Sequence, residues 1–191
     1  ISGAKWSIVL RRIPETLIVP LGIAALLIGV VVLGGLFHLN HVYEWFDDAF
    51  VAKDEILQQK KGYLNKYFYL VRLVIYFAVW FTMGYAIRKN SVKQDETKDA
   101  ATKLKLVKLS AAYTLIFAYS FLLASIDIVM SLQPHWFTTM FPVYTFANGW
   151  FGAIAAVIII LVVIQKNGGL KDVNAEHLHD LGKWLLMSVI F

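Results

Sequence analysis

Four long apolar runs divide this chain, each bounded by polar or proline-bearing sequence. They cover about residues 17–37, 67–87, 111–131 and 143–165. At ~1.5 Å per residue, each is long enough as a helix to cross a hydrocarbon layer roughly 30 Å thick. A fifth run starts near Lys183 and continues to Phe191. The expected fold is all-α: a polytopic transmembrane helix bundle with four complete spans and the start of a fifth, forming a single transmembrane domain over 1–191. Arg11 and Arg12 precede the first run as in a twin-arginine signal. That run is long for a signal-peptide core, however, and no small-x-small cleavage pattern follows before His38-Leu39-Asn40-His41, so a retained span is expected.

Gly22, Ala25 and Gly29 share one face of the first span, and Gly149, Gly152 and Ala156 share one face of the fourth, which is the pattern that lets neighbouring backbones approach closely. Between the spans, the 40–66 stretch opens with Glu44, Asp47, Asp48, Asp54 and Glu55 and carries Phe46, Phe50 and Leu57 at roughly helical spacing. A short surface helix is expected there. The 91–103 stretch is polar, mixes both charges and is expected to be a solvated linker.

Composition agrees with a membrane class: 59% of residues are hydrophobic and 16% charged, with a mean hydropathy of +0.62. The net charge of +5 does not indicate a nucleic-acid partner, because the basic residues lie in short stretches between apolar runs. They act as topology signals. Of the 18 Lys and Arg, thirteen fall in residues 1–16, 88–108 and 166–183, and four in 40–66, with none in 132–142. Basic residues accumulate in short cytoplasmic loops, so the N-terminus is expected to be cytoplasmic. There is no Cys, which excludes thiolate-held iron–sulfur clusters, covalent c-type haem and disulfides in this stretch. Opening on Ile1 and ending in an apolar run, the sequence is expected to be an excerpt of a longer chain.

Two ionisable residues fall inside spans, Arg72 and Asp127, where a charge costs several kcal/mol unless paired or wetted. Each lies about five residues from the same end of its helix, so they are expected at matching depth. Tyr113, Ser120, Asp127 and Ser131 line up on one face of the third span. One reading makes Arg72 and Asp127 an ion pair that pins two helices, with Ser120 and Ser131 bonding their own backbone. The other makes Asp127 a proton acceptor. His38, His41 and Glu44 after the first span, and His135 after the third, fall at the same level. Histidine titrates near neutrality and a carboxylate nearby can relay its proton to water, which is what quinol oxidation needs. His135 sits in an uncharged aromatic segment, 132–140, capable of re-entering the bundle. His177 and His179 form a pair without a third ligand, so no metal is assigned, and all five histidines lie at or beyond span ends, so no haem is expected in this chain.

The stretch Ser125-Ile126-Asp127-Ile128-Val129-Met130-Ser131-Leu132-Gln133-Pro134-His135-Trp136-Phe137-Thr138-Thr139-Met140-Phe141-Pro142-Val143-Tyr144 resembles the signature of NrfD-type (polysulfide-reductase-like) membrane subunits. It is most similar to the second such subunit of alternative complex III. Trp6…Arg11-Arg12-Ile13-Pro14-Glu15, His38…His41 and Glu176-His177-Leu178-His179-Asp180-Leu181-Gly182-Lys183 add to the likeness. The resemblance implies the N-terminal half of a subunit of about ten helices in a respiratory quinol:cytochrome c oxidoreductase of a bacterial inner membrane. Its partners would be iron–sulfur and multihaem cytochrome c subunits and a paralogous NrfD-type subunit, with menaquinone the expected quinone. Asp127 and His135 are then the proton-transfer candidates, and His38, Arg72 and Trp136 the quinone-pocket candidates. The alternatives are a proton-conducting or coupling subunit without bound quinone, a structural anchor, and a secondary transporter. The last is disfavoured because the spans are taken to be free of internal proline.

Overall fold

A computed structural model describes residues 11–169, 173 and 175–190. Within them the chain is all-α, and four of its helices are long and apolar enough to cross a membrane. In order, the helices are α1 (Arg12–Thr16), α2 (Ile18–Leu36), α3 (Asp48–Val51), α4 (Glu55–Lys60), α5 (Lys66–Thr97), α6 (Ala100–Ile128), α7 (Phe141–Lys166) and α8 (Ala175–Ile190). Short 3₁₀ turns at Glu44–Phe46 and Met130–Leu132 complete the set.

The chain divides into two compact units, one of Val19–Pro142 and one of Ile1–Ile18 with Val143–Phe191. In the first, α5 and α6 form an antiparallel hairpin: Arg72 meets Asp127 and, farther along, Trp80 meets Ser120. The turn between them is only Lys98-Asp99. Lys98 takes the left-handed conformation that ends α5 (φ 50), and the Asp99 carboxylate accepts from the Thr102 N–H to start α6. The polar 91–103 stretch is thus mostly helix, not a linker. Hydropathy marks only where a helix is apolar, and these Lys, Gln, Asp, Glu and Ala residues sustain a helix in water. At 32 residues, α5 is about 48 Å long, well beyond the hydrocarbon thickness.

Pro20, inside the first span, is an exception to the expectation of proline-free spans. It stands in the first turn of α2, where its missing N–H needs no partner, and the interruption at Leu17 between α1 and α2 precedes it as its ring requires. Helix α2 ends with His38 in the left-handed conformation (φ 56), the His38 N–H bonding the Gly35 carbonyl and the Leu39 N–H the Gly34 carbonyl. The close approaches that α2 makes are at Gly34, where a Cβ would meet the Asn40 side-chain amide, and at Gly35, where it would come within 2.9 Å of the Phe46 ring. Nothing lies within 4 Å of a Cβ placed at Gly22, Gly29, Gly149 or Gly152, so the two small-residue faces are open.

The 40–66 stretch is more than a surface helix. Tyr43, Trp45, Phe46 and Leu57 are buried with Val32, Tyr69 and Leu73 in one apolar cluster. The four rings of Tyr43, Trp45, Phe46 and Tyr69 pack with centroids 4.5–5.9 Å apart. Phe50, which shares the helical spacing of Phe46 and Leu57, is exposed. In the other unit, Ile13, Val157, Leu161, Val173 and Leu181 form a separate core. There α7 closes on Gly168 (φ 78) with the same pair of backbone bonds that ends α2. The fifth segment is helical from Ala175, earlier than its apolar part suggests.

Candidate functional site

The hairpin brings Arg72 and Asp127 together in a two-pronged ion pair, with Nε 2.8 Å from Oδ2 and Nη2 2.9 Å from Oδ1. Tyr76, one turn beyond Arg72, donates its hydroxyl to the same Oδ2 at 2.8 Å. The remaining guanidinium nitrogen, Nη1, donates to the Tyr63 carbonyl at 3.1 Å. The guanidinium also lies against the Tyr63 and Phe68 rings, 4.0 and 4.3 Å from their centroids. Asp127 is only 1% exposed. A buried charge survives only when paired and fully hydrogen-bonded, and here both carboxylate oxygens are engaged.

The last turn of α6 is sealed from the loop side. Helix ends leave backbone carbonyls without partners, and burial makes that costly. Tyr43 donates its hydroxyl to the Ile128 carbonyl at 2.9 Å, Trp45 Nε1 donates to the Ser131 carbonyl at 3.1 Å, and the Ser131 hydroxyl donates to the Asp127 carbonyl. Burial raises the Tyr43 phenol pKa, and burial beside Asp127 pushes that of Tyr63 up to about 12. Both phenols stay protonated donors at neutral pH. Ser120, one of the polar face residues, accepts from Trp80 Nε1 at 2.7 Å and donates to the Ile116 carbonyl of its own helix. Tyr113 packs against Phe117.

His135 stands apart from this network. Its Nε2 is 2.5 Å from Asp54 Oδ2, and its side chain is 46% exposed. Asp54 is the N-cap of α4, accepting from the Ile56 and Leu57 N–H groups at 2.9 and 3.1 Å. The Leu57 N–H above all, and then His135, hold its carboxyl below the usual range. Lys60, from the same short helix, donates to the Pro134 carbonyl and sits 5.9 Å from the Phe137 ring centroid. The 132–140 segment therefore lies across α4 and does not re-enter the bundle; Trp136, Phe137 and Met140 are exposed. Its polar partners are on the surface, which is why it stays there.

Beneath this segment runs an apolar groove of about 420 Å³, lined by Lys60, Tyr63, Ile126, Met130, Pro134 and Trp136 among others. Trp136 forms its rim and packs edge-on to Phe141 at 5.6 Å. His135 falls between two lining residues. Of the five residues singled out from sequence, Arg72 and Asp127 thus form one cluster and His135 and Trp136 another beside it, with Tyr63 common to both. His38 caps α2 and belongs to neither. Sequence reasoning missed Tyr63, Tyr76, Asp54 and Lys60. Only Tyr76 had a usable signal, standing four residues from Arg72 on the same helical face.

Comparison with known proteins finds no matching family model and no matching curated protein.

Proposed function

We propose that the chain is an NrfD-type membrane subunit of a respiratory quinol oxidoreductase, and that the groove beside Trp136 receives the quinol headgroup. The observation that carries this reading is the His135–Asp54 pair at the edge of an apolar groove of about 420 Å³. Small-molecule sites are mostly apolar with a few placed polar groups, and a lipophilic quinol suits one opening at the end of membrane spans. Oxidation of a quinol releases two electrons and two protons. His135 takes the two protons in turn from the headgroup hydroxyls, and the low-pKa Asp54 stabilises the charged imidazole and passes each proton on to water before the next is taken. The electrons leave to redox groups on partner subunits, since a chain without Cys holds none of the thiolate-bound kind.

In this reading Asp127 and Arg72 brace the groove wall, and Asp127 is not the first proton acceptor. The full set of donors around its carboxylate favours that division of labour. The distribution of basic residues favours a cytoplasmic N-terminus and 88–108 tip with the groove on the outer side, and the resemblance stated above supplies the bacterial inner membrane of this reading. The resemblance stated above is what names the complex, its iron–sulfur and multihaem partners and menaquinone.

The test is purification of the assembly from its native membrane in mild detergent, followed by quinol oxidation assays. Co-elution with haem- and iron–sulfur-bearing polypeptides is expected. His135→Ala should leave assembly intact and lower the oxidation rate by roughly 10²-fold or more. A lone, cofactor-free polypeptide, or a His135→Ala complex turning over at the wild-type rate, would sink the proposal.

A further inference from the structure

Where α5 begins, the loop and the helix enclose a small cavity of about 170 Å³ lined by Trp45, Asp48, Lys61, Asn65, Lys66 and Tyr67. Unlike the groove beside Trp136, it carries several charges. Lys66 Nζ is 2.7 Å from Asp48 Oδ2. That bond, with the nearby charges of Lys66, Lys61 and His38, keeps the Asp48 carboxyl below its ordinary pKa. The cavity lining thus holds one carboxylate and two lysines, which leaves positive charge to spare.

The cavity continues into an apolar track. Tyr67, at its edge, is 81% exposed, and Val71 (54%) and Val74 (66%) follow on the same face of α5. Because α5 is a spanning helix, its first residues lie where hydrocarbon gives way to headgroups. An anion without a tail would use the lysines and leave the track bare. A tail without an anion would leave the excess charge unmatched.

We propose that this cavity holds the phosphate of a membrane phospholipid between Lys61 and Lys66, with an acyl chain laid along Tyr67, Val71 and Val74. Lysine ammoniums are compact point charges that accept many phosphate geometries, so the site selects the phosphodiester and the leaflet level in preference to one headgroup. Asp48 keeps Lys66 turned toward the cavity. The proposal does not depend on the quinol reading, because the charged residues of the cavity, Asp48, Lys61 and Lys66, do not line the groove beside Trp136, with which the cavity shares only the apolar Leu64.

The experiment is native mass spectrometry of the full chain in detergent, titrated separately with phosphatidylglycerol, glycerol 3-phosphate and diacylglycerol. Phosphatidylglycerol should bind with one site markedly tighter than the rest. In the Lys61→Gln/Lys66→Gln variant that site should weaken about tenfold or more, as loss of two charge-assisted contacts implies. The Lys61→Arg/Lys66→Arg variant should retain it. Should the double Gln variant not fold, Lys61→Gln alone serves, because Lys61 makes no ion pair among the described residues. Unchanged phosphatidylglycerol binding in the Gln variants overturns the proposal. So does glycerol 3-phosphate binding as tightly as the lipid, which would make this a free-phosphate site. Equal binding of diacylglycerol would likewise show that the track alone is used.

Discussion

Replacing Asp127 with asparagine keeps the side chain's shape and removes its charge, which isolates what the buried pair contributes. The substitution leaves the Arg72 guanidinium buried with no counter-charge. It also turns one acceptor oxygen into an NH₂ facing the donors Nε, Nη2 and the Tyr76 hydroxyl. Breaking a buried pair by removing one partner costs about 3–5 kcal/mol. With Asp127 1% exposed there is little water to soften the loss, so the upper half of that range is expected. At roughly 2–4 °C per kcal/mol for a chain of this size, the midpoint of thermal unfolding should fall by about 8–20 °C. The assay is loss of the monodisperse size-exclusion peak after heating in detergent, for wild type, Asp127→Asn, Arg72→Met and the double variant. The double variant should recover much of the loss, because it removes both charges together. An Asp127→Asn protein that melts within about 1 kcal/mol of wild type, yet no longer oxidises quinol, would refute the bracing role and restore Asp127 as a proton acceptor.

Three further outcomes are expected. Gly35→Ala should destabilise by about 1–3 kcal/mol in the same heating assay, because its Cβ would meet the buried Phe46 ring at 2.9 Å and that ring has no room to turn aside. Trp45→Phe should cost about 1–3 kcal/mol by leaving the Ser131 carbonyl buried without a donor, whereas Phe50→Leu, at an exposed position, should be nearly neutral. Finally, the Asp54 carboxylate has a folded-state pKa below its unfolded value of about 4, so its contribution is present above that value and lost as pH falls through the folded pKa. Hydrogen exchange in 132–140 should therefore accelerate in acid below about pH 4, and in Asp54→Asn this segment should lose that acid-dependent step.

The spans were legible because they follow one rule, apolar length, which does not depend on tertiary partners. The pairing of Arg72 with Asp127 was legible for a related reason. Two costly charges at matching distance from helix ends have few ways to be neutralised other than by each other. What stayed hidden depended on contacts across long sequence distance. Nothing local marks Trp45 as the donor to Ser131, or Asp54 as the partner of His135, since those residues are 86 and 81 positions apart. The surface-helix reading of 40–66 was incomplete for this reason: short helices are there, but the acidic start drew attention away from the buried Tyr43, Trp45 and Phe46. His38 misled in the opposite sense. Its place among other polar groups suggested chemistry, while the two carbonyls freed at Gly34 and Gly35 needed a left-handed residue there, a conformation histidine tolerates better than most.

The sealing of α6 by Tyr43 and Trp45 has a consequence for biogenesis. The aromatic loop is synthesised well before its partners: at 5–20 residues per second, the 86 residues between Trp45 and Ser131 take roughly 4–17 s to make. Through that interval its indole N–H and the Tyr43 hydroxyl have none of their final acceptors, and three large rings must shelter in the bilayer interface, where such side chains reside comfortably. The loop can close only when the third span has been threaded and its last turn delivered. A ribosome stalled between residues 70 and 120 should therefore leave a nascent chain whose loop is open to protease, and protection should arrive abruptly once Ser131 has emerged.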